Sequence, residues 1–246
     1  MPDAVAMLGE EQDDLRRVLE GIADEQWLTP TPAHGWDVRD QVSHLADTEE
    51  IAFDTMTGGR RQLNDEALSF PSPEAFTESG CQKGRKMRGR DVLEWWVKGA
   101  VKTREELARK DPKDRVPWGL GMSARSFVSA RLMETWAHGL DCRAAVGAEP
   151  NVTPRLKDVA FLIVRAMPYA FRVAQREPPP GEVRVDLTFE GETWTYGPED
   201  ADSRITGEAQ EFCRVGVQRM KRADATTLKA EGELADAFLD VARAFL

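Results

Sequence analysis

Histidine and cysteine are scarce in this chain, with three of each in 246 residues. The cysteines, Cys81, Cys142 and Cys213, are scattered and include no Cys-x-x-Cys pair. An odd, dispersed set fits poorly with a disulfide framework and reads as free thiols in a reducing compartment. No apolar run approaches the ~20 residues that span a bilayer. The opening stretch MPDAVAMLGEEQDDLRR is acidic and broken by charge, unlike a signal peptide, so a cytoplasmic protein is expected. Positive charge is in deficit: 33 Lys and Arg against 43 Asp and Glu leave a net charge of -10. Such a surface repels phosphate backbones and argues against a nucleic-acid partner. One basic stretch, Lys83 to Arg90 (KGRKMRGR), lacks interleaved aromatics. It reads as a solvated loop or an anion contact before a nucleic-acid patch.

What remains is a globular composition, 41% hydrophobic and 31% charged. The length suits one large domain or two modest ones. Apolar residues at helical spacing predict a first helix over about Asp3 to Ile22, ended by Thr29-Pro30-Thr31-Pro32. A second begins at the N-cap Asp37 and stops at Thr57-Gly58-Gly59. Residues 60 to 88, rich in Gly, Pro, Ser and charge, read as a long connection with one short helix. A third helix covers about Asp91 to Lys110, and a fourth runs from the N-cap Ser123 to Val146, with Gly147 as its stop. Four helices with one long crossover make a bundle. After Pro150 the pattern changes: a helix over Arg155 to Ala174, then strands near Val183–Leu187, Thr193–Tyr196, Ile205 and Leu228, with helices from Glu208 and Glu233. The expected fold is mainly α: a four-helix bundle over residues 1–150, then a small α+β unit over residues 151–246.

The few histidines are informative by placement. His138 follows Glu134 by four residues, so the two side chains stack on one helix face and can address one point in space. Glu-x-x-x-His is a sound two-ligand element for a divalent metal. Ala130, Asp141 and Ala145 lie along the same stripe, and Asp141 is close enough to support a ligand. A third ligand is needed, and His44 on the second helix is the best placed; facing helices of a bundle commonly build such sites. The plainer reading of Glu134 and His138 is a surface pair worth about 0.2–0.5 kcal/mol. His34 reads as a loop residue near the bundle mouth. Cys142 reads as a packed helix cysteine.

The run Thr31 to Leu45 (TPAHGWDVRDQVSHL) resembles the first metal-ligand motif of DinB-like proteins, in particular the mycothiol-dependent maleylpyruvate isomerase branch. Met133 to Asp141 (METWAHGLD) looks like that branch's second motif. Trp118 to Phe127 (WGLGMSARSF) resembles an actinobacterial subgroup described only as metal-binding. The tail run Glu192 to Pro198 (ETWTYGP) is similar to a small domain that ends wyosine-forming tRNA enzymes, although acidity argues against carrying tRNA binding over.

The resemblance implies that His44, Glu134 and His138 hold one divalent metal. Zinc suits these ligands; nickel, iron, cobalt and manganese are compatible. It also implies mycothiol as a thiol cofactor, reaching the metal's open position as a thiolate and attacking a small electrophile. The chain is then a transferase or isomerase. The rival readings are a metal-binding protein for sensing or sequestration and a metal-dependent hydrolase. An isomerase of this kind needs cations to hold a dicarboxylate. Arg131, three residues before Glu134, is a candidate substrate contact, with an ion pair to a neighbouring acid as the other reading. Trp118 and Met122 wall a pocket or pack the core.

Overall fold

The structure is a computed structural model that describes residues 1–244. The chain divides into two compact units, Met1–Asn151 and Val152–Leu246. The first unit carries α1 (Pro2–Glu20), α2 (Val38–Thr57), α3 (Leu63–Leu68), α4 (Pro73–Gly84) and α5 (Gly89–Arg109). A small hairpin, β1 (Arg115–Val116) and β2 (Met122–Ser123), leads into α6 (Ala124–Val146). Helix α2 packs on α4, α5 and α6, and α1 packs on α5 and α6. Leu15, Leu19, Trp27, Val42, Leu45 and Trp96 form part of the shared core. Each such side chain contributes about 1.5–3 kcal/mol through burial.

The bounds of α2 and α6 follow from their caps. Asp37 accepts the Asp40 N–H at 2.8 Å, and Asp40 accepts the Asp37 N–H at 3.3 Å. This reciprocal pair satisfies two donors that the first turn of α2 would otherwise orphan. Gly58 ends that helix in the left-handed conformation at φ +74°. Ser123 caps α6 through the Ser126 N–H at 3.1 Å, and Gly147 ends it at φ +71°. Every residue from Gln41 to Glu49 is buried, so the polar members of this stretch must find partners inside the bundle.

Residues 60–88 hold two helices, α3 and α4, where the composition predicts a long connection with one. Two of the glycines that suggested a loop are packing residues. A Cβ on Gly80 would lie 2.9 Å from the Asp47 Cβ, and one on Gly84 would lie 2.6 Å from the Ser43 Cβ. Their absence lets α4 approach α2 closely. The basic stretch is likewise absorbed by the protein. Lys83 meets Asp47 at 2.6 Å, Arg85 meets Asp40 at 2.9 Å, Arg88 meets Asp91 at 2.8 Å and Arg90 meets Asp24 at 3.3 Å. Replacing Gly84 by valine is expected to destabilise the chain by about 1–3 kcal/mol through overpacking. Thermal unfolding reads this as a drop of roughly 2–12 °C. The exposed neighbour change Gln82→Ala serves as a control with no measurable shift.

The second unit carries α7 (Leu156–Arg165), α8 (Met167–Val173), β3 (Val183–Phe189), β4 (Glu192–Tyr196), β5 (Ser203–Glu208), α9 (Ala209–Gly216), β6 (Lys229–Glu231) and α10 (Glu233–Val241). The single helix expected over Arg155 to Ala174 is two. Pro168 has no N–H to continue α7 and sits in the first turn of α8. The sheet order is β4-β3-β5-β6, with β3 and β5 parallel and the outer pairs antiparallel. Glu190 and Gly191 both take positive φ, which suits the tight turn between β3 and β4. Val183, Val185, Leu187 and Phe189 bury one face of β3, and α9 and α10 pack on the sheet. Among the described residues, no helix is long and apolar enough to cross a membrane.

Candidate metal centre

Helix α2 supplies His44 and helix α6 supplies Glu134 and His138. The ligand atoms of the three lie within 4.8 Å of one another. His44 Nε2 is 3.7 Å and His138 Nε2 is 3.5 Å from the same oxygen, Glu134 Oε2. These separations are long for hydrogen bonds. The shorter matches the edge of a tetrahedron around an ion with bonds of 2.0–2.2 Å, which is roughly 3.3–3.6 Å, and the longer lies just beyond it. Two imidazole nitrogens and one carboxylate oxygen are the donor set of an open zinc site, and they suit other divalent first-row metals as well. The residues present therefore fit a divalent cation.

Both histidines are buried, at 8% and 5% exposure, while Glu134 is partly open to solvent. Burial alone would push the Glu134 carboxyl up. Hydrogen bonding and charge from the two imidazoles in their protonated form more than offset this and hold it well below the usual carboxylate range. An ionised carboxylate at neutral pH is the form a metal needs. The Trp36 ring stands 5.3 Å from the His44 ring and 6.1 Å from the His138 ring, so one apolar wall backs both imidazoles.

One residue at the site escaped the sequence reading. Gln41 places its Oε1 2.6 Å from His138 Nδ1. The signal was its spacing: it precedes His44 by three residues and shares that face of α2. Asp141, expected to support His138, is buried on the same helix. His34 is exposed in the turn before α2. Trp118 packs on Phe127 at 5.1 Å between ring centres, and Met122 is half-buried in β2. Cys142 belongs to the apolar core, and burial pushes its thiol up, away from metal-ligating thiolate.

Arg131 is engaged by buried partners on α2. It is 2% exposed, and its Nη2 donates to Glu49 Oε1 at 3.0 Å and to Thr48 Oγ1 at 3.1 Å. Its Nε lies 3.3 Å from the same Glu49 oxygen. A guanidinium held this way by a buried carboxylate is a structural ion pair, the second of the two readings offered for Arg131.

Comparison with known proteins shows the family and the fold. Two Mycobacterium tuberculosis sequences, the uncharacterized proteins Rv0036c and MT0041, are each 36% identical to the chain over 245 residues, covering 98% of it and 94% of the relative. The fold is that of the solved mycothiol-dependent maleylpyruvate isomerase, with a TM-score of 0.64 at 14% identity, covering 95% of each chain. A mutant structure of the same isomerase matches with a TM-score of 0.63 at 13% identity, again over 95% of each chain. Residues 8–143 match the mycothiol maleylpyruvate isomerase N-terminal domain, and the chain is a member of that family.

Proposed function

We propose that this chain is an enzyme that holds one divalent metal through His44, Glu134 and His138 and uses mycothiol as its nucleophile against a small electrophile. It is then a mycothiol-dependent transferase or isomerase. The supporting observation is the convergence of three ligand atoms from two helices within 4.8 Å, a set that leaves coordination positions open. A divalent cation held there lowers the pKa of an incoming thiol and makes a thiolate available at neutral pH. The protein's own contribution is positional. Trp36 covers the imidazoles, Glu134 stays ionised, and the burial of both histidines restricts water around the ligands.

The arginines of the two ligand-bearing helices bear on the substrate. Arg39 meets Asp37 and two backbone carbonyls, Arg125 donates to Ser129, Arg131 is held by Glu49, and Arg143 reaches the carbonyls of Asp14 and Glu149. Each already has a protein partner, so the site favours an uncharged electrophile over a dicarboxylate. The purified chain, given zinc and mycothiol, is expected to conjugate a neutral alkylating electrophile faster than it isomerises maleylpyruvate. A chelator should abolish both reactions. Absence of turnover across a broad electrophile panel with the metal bound would remove the enzymatic reading. Faster turnover of the dicarboxylate would remove the preference alone.

A further inference from the structure

A short chain of hydrogen bonds behind His138 has only one consistent direction. The Trp36 carbonyl can only accept, and it does so from the Thr31 N–H at 2.8 Å and the Thr31 hydroxyl at 2.9 Å. The hydroxyl's single proton is thereby committed. Toward Gln41 Nε2, at 2.8 Å, Thr31 Oγ1 must accept. The amide therefore turns its NH₂ end to Thr31 and its oxygen to His138, where Oε1 is 2.6 Å from Nδ1. An amide oxygen accepts only, so Nδ1 carries a proton. A neutral imidazole protonated at Nδ1 has its lone pair on Nε2, the atom 3.5 Å from Glu134 Oε2.

With the amide reversed, its NH₂ would face Nδ1. The ring proton would move to Nε2 and point at Glu134, an internal contact that competes with a cation for both groups. The turn that anchors the chain is itself fixed, since Trp36 N–H donates to the Ala33 carbonyl at 3.1 Å and Pro30 pairs with Asp37.

We infer that Gln41 and Thr31 are positioning residues: through the Trp36 carbonyl they lock His138 in its Nδ1–H tautomer and aim Nε2 at the cation. The inference rests on the metal reading of the triad, but its first readout needs no metal. Nitrogen-15 NMR of the metal-free full chain at about pH 8 reports the tautomer of each neutral imidazole. Three histidines make assignment by single substitution direct.

His138 is expected as the Nδ1–H form in the wild type, in Thr31→Ser and in Gln41→Glu, which keeps an acceptor. Thr31→Val frees the amide to turn, and Gln41→Leu removes the acceptor; both are expected to populate the Nε2–H form. Both should also weaken zinc binding by about 10–100-fold, the range for loss of a ligand's outer hydrogen bond. Thr31 is half-buried in the loop before α2, whereas Gln41 is fully buried within it, so the valine variant at Thr31 decides the matter if Gln41→Leu fails to fold. Unchanged tautomer and zinc affinity in Thr31→Val would overturn the inference. Zinc affinity that is indifferent to His138→Ala would instead overturn the metal reading, whatever the tautomer.

Discussion

Zinc binding falls by at least about a thousandfold, ~4 kcal/mol, when Glu134 and His138 are both replaced by alanine. The size follows from what is lost. Removing one hydrogen-bond partner of a metal ligand already costs about 10–100-fold, and this change deletes two of the three ligands themselves. Competition titration against a chelating dye measures it. Thermal unfolding supplies an independent view. A ligand that binds only the folded state at 100 times its Kd adds about 2.7 kcal/mol of stability. The wild-type melting temperature should therefore rise with added zinc, and the double variant should show no rise. His34, exposed and outside the ligand group, provides the control: His34→Ala should keep wild-type affinity.

Replacing Arg131 by methionine is expected to be the most damaging single change in the bundle for stability. Glu49 is fully buried, and its Oε2 has no hydrogen-bond partner. Its other oxygen accepts from Arg131, with Gln12 Nε2 at 3.3 Å. Without the guanidinium, a carboxylate would remain at 0% exposure with no compensating charge. Breaking a buried pair from one side costs about 3–5 kcal/mol, or roughly 6–20 °C in melting temperature for a protein of this size. Replacing both partners by methionine should restore most of the loss, because the desolvation cost of both charges disappears with them. A substrate-binding arginine would behave oppositely, leaving stability intact and weakening only turnover.

Legibility in the sequence divided along physical lines. The long helices were readable because their ends are marked by local chemistry. Asp37 and Gly58 bound α2, and Ser123 and Gly147 bound α6, each through groups within a few residues of one another. The turn at Glu190-Gly191 was readable for the same reason. The juxtaposition of Glu134 and His138 follows from helix periodicity alone. What brings His44 to them is tertiary packing, which the sequence reading reached through bundle logic and family resemblance.

The misreadings all needed information from a distant part of the chain. Gly80 and Gly84 mimic loop composition until Ser43 and Asp47 are known to lie against them. Arg131 looks available until Glu49, 82 residues away, is seen to hold it. Gln41 carries no metal-ligand signal of its own, and its meaning comes from a nitrogen 97 residues on. The β1–β2 pair has two residues per strand, too few for any alternation to register. The break at Pro168 was the exception: proline is a local signal, and it was readable without the fold.

X-ray absorption at the zinc edge, recorded on the loaded full chain before and after mycothiol is added, bears most directly on the metal centre. Two imidazoles and a carboxylate oxygen at about 2.0–2.2 Å are expected without the thiol, and a new sulfur scatterer at about 2.3 Å with it. A spectrum lacking imidazole scattering, or one that stays free of sulfur at saturating thiol, would contradict the account.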